Sequence, residues 1–418
     1  MNPFLEELSR ELATFRAAGL YRELRHLGSP QSPRIEMNGR PLLNFSSNDY
    51  LGLANDPVLK EAACRAIERF GAGAGASRLV CGSMAPHAEL ESALADFKGT
   101  EAALAFSSGY ATALGTIGAL LGPSDTIVMD KRAHACIIDA AQLCGAKLRI
   151  FRHNDVNHLE DILRQIQQRA PGSPGPRHSR TLVVTESVFS MDGDFAPLTA
   201  IAELKQRYGF WLMLDEAHAT GIYGPHRRGM AEACNVAGQI EVHMGTLSKA
   251  IGSSGGFIAG ARPLVSLLVN RARSFIYSTA PTPASAAAAL AAIRFIQSPS
   301  GDDRCQRLWQ RVEQLRVEMA NRRMTWARND TIRGCEERQA IIPLIMGDEG
   351  KAMRGAETLL CQGFFVPAIR YPTVARGAAR LRLTLSAAHT ADDVGALLEA
   401  LEGLETRNPN VQSETPHA

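Results

Sequence analysis

From about residue 56 to residue 295, short apolar runs alternate with stretches of helical spacing, and this alternation restricts the fold more than any other feature of the chain. The runs are Ala103–Phe106, Thr126–Met129, Leu148–Phe151, Leu182–Thr185, Trp211–Leu214 and Val242–Met244. Short runs that are apolar throughout read as strands buried on both faces. Strands separated by helices predict βαβ units, hence an α/β fold around a mostly parallel sheet. In such sheets ligands gather at the carboxyl ends of the strands, so chemistry is to be sought just after each run.

Outside this region the pattern differs. Phe4, Leu5, Leu8, Leu12 and Phe15 recur at helical spacing and predict an amphipathic helix within residues 4–24, with a strand near Leu42–Phe45. After residue 296 a long charged helix (Asp302–Met319) precedes strands near 341–345, 365–369 and 381–385, the pattern of a smaller α+β lobe. The expected division is an N-terminal arm (1–47), a large domain (48–296), a small C-terminal domain (297–406) and a disordered tail (407–418). The proline-rich stretch Ala170–Arg180 is expected to be a surface loop.

Charge and cysteine usage narrow the class. A net charge of +2 offers no global field for nucleic acid or an acidic membrane. Eight cysteines without C-x-x-C spacing give no reason to expect a zinc site. The uncharged stretches Ala102–Ser124 and Ser274–Ile293 reach the length of a membrane span, but glycine, serine and proline interrupt them, so buried helices are expected. The N-terminus has no apolar core of the secretory kind, and a cytoplasmic protein is expected.

Four motifs carry possible chemistry. GAGAGA (71–76) suggests a dinucleotide loop, but it follows a helical segment and opens no clear helix, which leaves a nicotinamide oxidoreductase as the weaker alternative. Ser107-Ser108-Gly109 follows a strand and precedes a helix, where free amides and the helix dipole favour an anion, though a plain turn looks the same in sequence. Asp215 ends the run WLMLD, with Glu216 and His218 behind it. Lys249 follows the run at 242–244 inside GTLSKAIGSSGG, whose small residues permit close approach. A lysine amine forms a Schiff base with an aldehyde, and a carboxylate can keep a pyridine nitrogen protonated. A phosphate cradle, an acid and a lysine at successive strand ends are together what pyridoxal phosphate requires.

NFSSNDYLGL (44–53), GASRLVCGS (75–83), FSSGYATA (106–113), TESVFSMDGDFAPL (185–198), LDEAHATGIYG (214–224), GTLSKAIGSSGG (245–256), IYSTAPTP (276–283) and RLRLTLSAAHT (380–390) resemble the blocks of the α-oxoamine synthases. These are pyridoxal-phosphate enzymes of fold type I, with a smaller α+β C-terminal domain. They condense an amino acid with an acyl thioester and release carbon dioxide. The resemblance spans about residues 20 to 400. SSNDYLGL, AIRYPTV (368–374) and RLRLTLSAAHT point to the branch that joins L-alanine to a pimeloyl thioester, on coenzyme A or an acyl carrier protein, in biotin synthesis. Branches using glycine or serine are the alternatives.

The resemblance implies roles residue by residue. Lys249 holds the cofactor aldehyde and transfers protons, Asp215 faces the pyridine nitrogen, and His134 stacks on the ring. His218 and Ser190 bond the phenolic oxygen. Ser108, Gly109, Tyr110 and Thr246 contact the phosphate, and Glu186 lines the site. Ser278 and Thr279 come, in this family, from the partner subunit, which implies a homodimer with shared sites. Arg22, Asn48, Ser77, His134, Thr373 and Arg382 contact substrate. Cys136 departs from the serine common after the stacking histidine. Alternation in RLRLTL independently puts Arg380 and Arg382 on one strand face; Arg382 is expected to grip a carboxylate and Arg380 to face solvent.

Overall fold

A computed structural model describes residues 2–168, 179–324 and 338–406. The tail and all but the last two residues of the 170–180 stretch lie outside the described residues.

Seven strands form the central sheet, in the order Ala102–Phe106, Gly256–Gly260, Val242–Thr246, Trp211–Asp215, Thr181–Glu186, Thr126–Asp130 and Lys147–Phe151. All run parallel except Gly256–Gly260, which pairs antiparallel with both neighbours. The apolar runs are thus strands, and helices cover both faces of the sheet. The inner strands Thr126–Asp130 and Val242–Thr246 are buried at every residue, whereas Lys147–Phe151 lies at the edge and exposes Lys147 and Arg149. Two apolar clusters fill the two sides of the sheet. Phe151, Val183, Leu212 and Leu214 belong to the larger, and Ile127, Leu182, Val184 and Met213 to the other. Successive residues of one strand thus enter opposite clusters, as a sheet covered on both sides requires.

Two three-stranded sheets complete the fold. Ile341–Gly347, Ala379–Thr384 and Ala368–Ile369 form one, all antiparallel. In the other, the hairpin Arg34–Met37 and Arg40–Asn44 takes Phe364–Phe365 as a parallel third strand. The long helix runs over Pro299–Asn321, capped by Ser298. The N-terminal helix covers Pro3–Ala17 and stops short of residue 24, because Gly19 takes a left-handed φ of 66°. None of its residues is buried within this chain. Among the described residues, no helix is long and apolar enough to cross a membrane.

Candidate active site

Three adjacent strands end in polar residues: Glu186, Asp215 and Thr246. The register sets Glu186 directly opposite Asp215. Lys249 lies three residues beyond Thr246, in a loop closed by Leu247 N–H donating to Gly255 O (3.0 Å) and Gly252 N–H to Lys249 O (2.8 Å). Its Nζ lies 2.7 Å from His218 Nε2, and His218 Nδ1 lies 2.7 Å from the hydroxyl of Tyr50.

Burial sets the charge states. It lowers the pKa of Lys249 to about 8, against the opposing pull of Asp215 and Glu186. It holds His218 well below the usual histidine value, helped by Lys249 and Arg382, so the ring is neutral. Burial raises both Asp215 and Glu186, and Asp215 pushes Glu186 further up. Ala217 N–H donates to Asp215 Oδ1 at 2.9 Å, whereas Glu186 Oε1 is buried without a hydrogen-bond partner. Two facing carboxyl groups in low dielectric resist ionising together, and burial with the neighbouring Asp215 favours the neutral form of Glu186.

Behind Asp215, buried Glu216 pairs with Lys98 and accepts from Ala231 N–H (2.9 Å). Burial opposes its ionisation, but Lys98 and His243 outweigh it and hold the pKa down to about 2. This ion pair fixes the turn that carries Asp215 and His218. Nothing in the sequence spacing joins Lys98 to it.

The strand-to-helix turn at residues 107–109 forms where expected. Ser108 caps the helix Gly109–Leu120, its Oγ accepting from Ala111 N–H at 3.0 Å. Thr246 faces Gly109, and its Oγ1 donates to Gly255 O (2.9 Å). Tyr110 is hydrogen-bonded through its hydroxyl to Asp139. His134 caps the helix Ala135–Leu143; its Nδ1 accepts from Cys136 N–H (3.2 Å) and lies 3.0 Å from Cys136 Sγ.

On the far side, Arg382 Nε donates to Ser190 O (2.7 Å) and Nη2 to Asn48 Oδ1 (3.1 Å). Arg382 is 5% exposed, so these bonds aim a desolvated guanidinium. Arg380 corrects the expectation of a solvent-facing side chain: it is 4% exposed and paired with Asp192. Strand alternation cannot register the loop of the large sheet that folds over this face. Arg22 and Thr373 are exposed, and the segments carrying them meet where Arg370 Nη2 donates to Tyr21 O (3.3 Å). Ser77 and Thr279 form a bridge with each other, with Ser278 adjacent, and among the described residues no hydrogen bond joins them to the Lys249 group. GAGAGA leads into a single π-helical turn, Arg78–Gly82, and into no phosphate-binding helix.

The site fits pyridoxal phosphate. It offers an amine with a lowered pKa, the buried Asp215 carboxyl within electrostatic reach of that amine, a second buried carboxyl with one oxygen unpartnered, and an open helix start, where Gly256 leaves room beside Gly109 that a Cβ would fill.

A family model described as aminotransferase class I and II matches residues 40–401. The 8-amino-7-oxononanoate synthase of Geotalea daltonii is 43% identical over 95% of this chain and 97% of its own length. A protein of the same name from an Anaeromyxobacter species is 48% identical, with 95% of each covered. The solved serine palmitoyltransferase of S. paucimobilis, with PLP and myriocin bound, matches with a TM-score of 0.86 at 29% identity, covering 97% of this chain and 98% of its own. The chain therefore belongs to the class I and II aminotransferase family, on its 8-amino-7-oxononanoate synthase branch, and has the pyridoxal-phosphate fold of type I.

Proposed function

We propose that the protein condenses L-alanine with a pimeloyl thioester to give 8-amino-7-oxononanoate, carbon dioxide and the free thiol, a reading its relatives' name supports. The observation that carries it is Lys249, desolvated beside His218 and close enough to Asp215 for each to shift the other's pKa.

Lys249 would hold the cofactor, with Asp215 at the ring nitrogen, His218 and Ser190 at the phenolic oxygen, His134 over the ring, Glu186 lining the site, and Ser108, Gly109, Tyr110 and Thr246 at the phosphate. When bound, pyridoxal phosphate supplies an electron sink for charge developing at the substrate α-carbon. Lys249 Nζ, with a pKa near 8, removes and returns a proton at that carbon near neutral pH. Arg382 grips the alanine carboxylate, and Asn48 and Ser190 O hold the guanidinium in place. Arg22, Ser77 and Thr373 contact the substrates. The working form is a cytoplasmic homodimer in which Ser278 and Thr279 serve the partner's site.

Purified protein supplied with pyridoxal phosphate is expected to show a visible absorption band that changes on adding L-alanine. Lys249→Ala is expected to lose the band and at least about a thousandfold in turnover. Thiol release from alanine with pimeloyl thioester should exceed that from glycine with acetyl thioester or serine with palmitoyl thioester; the reverse order would reassign the branch.

A further inference from the structure

Tyr50 belongs to no role assigned above, yet it is fully buried and its hydroxyl meets the active-site histidine. Its oxygen lies 2.7 Å from His218 Nδ1 and 3.4 Å from Asn48 Oδ1, the atom that also accepts from Arg382. One hydrogen-bond assignment satisfies these contacts, with the Arg382 guanidinium as a further donor to the Tyr50 oxygen. The Lys249 ammonium donates to His218 Nε2, His218 Nδ1–H donates to the Tyr50 oxygen, and Tyr50 O–H donates to Asn48. In this state Nε2 is an acceptor. To serve the phenolic oxygen of the cofactor, the same nitrogen has to become a donor.

We propose that Tyr50 is a positioning residue whose hydroxyl, able both to accept and to donate, lets His218 exchange its N–H between the two ring nitrogens. This rests on the pyridoxal-phosphate reading of the site. As Lys249 becomes a neutral amine, one proton goes to solvent. His218 keeps a single N–H, which passes from Nδ1 to Nε2 by solvent exchange. Tyr50 keeps its proton and turns it from Asn48 to Nδ1. The charged and titratable groups facing the imidazole are Lys249, Arg382 and His134, with Asp215 and Glu186 beyond Lys249. None of these can take over both functions of a neutral hydroxyl. Phenylalanine would leave Nδ1–H buried without an acceptor, so His218 would hold its proton on Nε2, against the Lys249 ammonium.

The test uses the full chain with and without pyridoxal phosphate. Nitrogen-15 spectra of histidine-labelled protein, with His218 identified by its loss in His218→Asn, are expected to show Nδ1–H without cofactor and Nε2–H with it. In Tyr50→Phe, the pH midpoint for cofactor capture by the apo-protein is expected to fall by about half a unit or more. Its kcat is expected to fall about tenfold with the KM for alanine little changed. The same N–H in both wild-type states, or an unmoved midpoint in Tyr50→Phe, overturns the inference; should that variant fail to fold, the wild-type spectra still decide. A wild-type protein that takes up no cofactor overturns this inference together with the reading beneath it.

Discussion

Glu186 and Asp215 face each other across two strands, where burial and the neighbouring Asp215 favour the neutral form of Glu186. Replacing a protonated carboxyl by an amide changes little, so Glu186→Gln is expected to keep kcat within about threefold. Asp215→Asn removes the charge itself and is expected to cost about a hundredfold or more in kcat. Equal losses in steady-state assays would overturn the assignment. Asp215 and Lys249 are legible in the sequence because each follows an apolar run closely. Tyr50 is not, since 168 residues separate it from His218 and only the fold joins them. Arg380 escapes a sequence reading for the same reason: its partner Asp192 lies 188 residues away.

At the scale of elements, the antiparallel strand Gly256–Gly260 packs against the helix that begins at Gly109. A Cβ at Gly256 would stand 2.5 Å from Thr112 Oγ1 and 2.9 Å from Gly109 N. Gly256→Ala is expected to destabilise the protein by about 1–3 kcal/mol, read by thermal melting. It is also expected to weaken cofactor binding by about tenfold, read by titration, because it displaces the helix start. The strand itself is hard to see in sequence: five residues, two of them glycine, carry too little periodicity. The parallel strands are legible because burial on both faces demands continuous apolar runs.

For the whole molecule, His153 ties together two stretches distant in sequence, bonding Asp130 (2.9 Å) and Asp194 (2.6 Å). Burial lowers its pKa, but the two carboxylates outweigh that and push it up to about 9. A folded-state pKa above the unfolded value means the contribution is complete below about pH 6.5 and is lost as pH rises through about 9. Urea unfolding is expected to show the wild type losing about 1–3 kcal/mol more than His153→Gln between pH 6 and pH 9.5. The proposed dimer has its own test: Lys249→Ala mixed and refolded with Thr279→Arg is expected to recover activity that neither has alone. The sheet that pairs Arg40–Asn44 with Phe364–Phe365 has a consequence for synthesis. Roughly 320 residues must follow the early hairpin out of the ribosome before it meets its third strand. At about 5–20 residues per second, the nascent chain waits some tens of seconds with that edge open. The segment holding Asn48 and Tyr50 follows the hairpin directly, so its anchorage is complete only after Phe365 has left the ribosome.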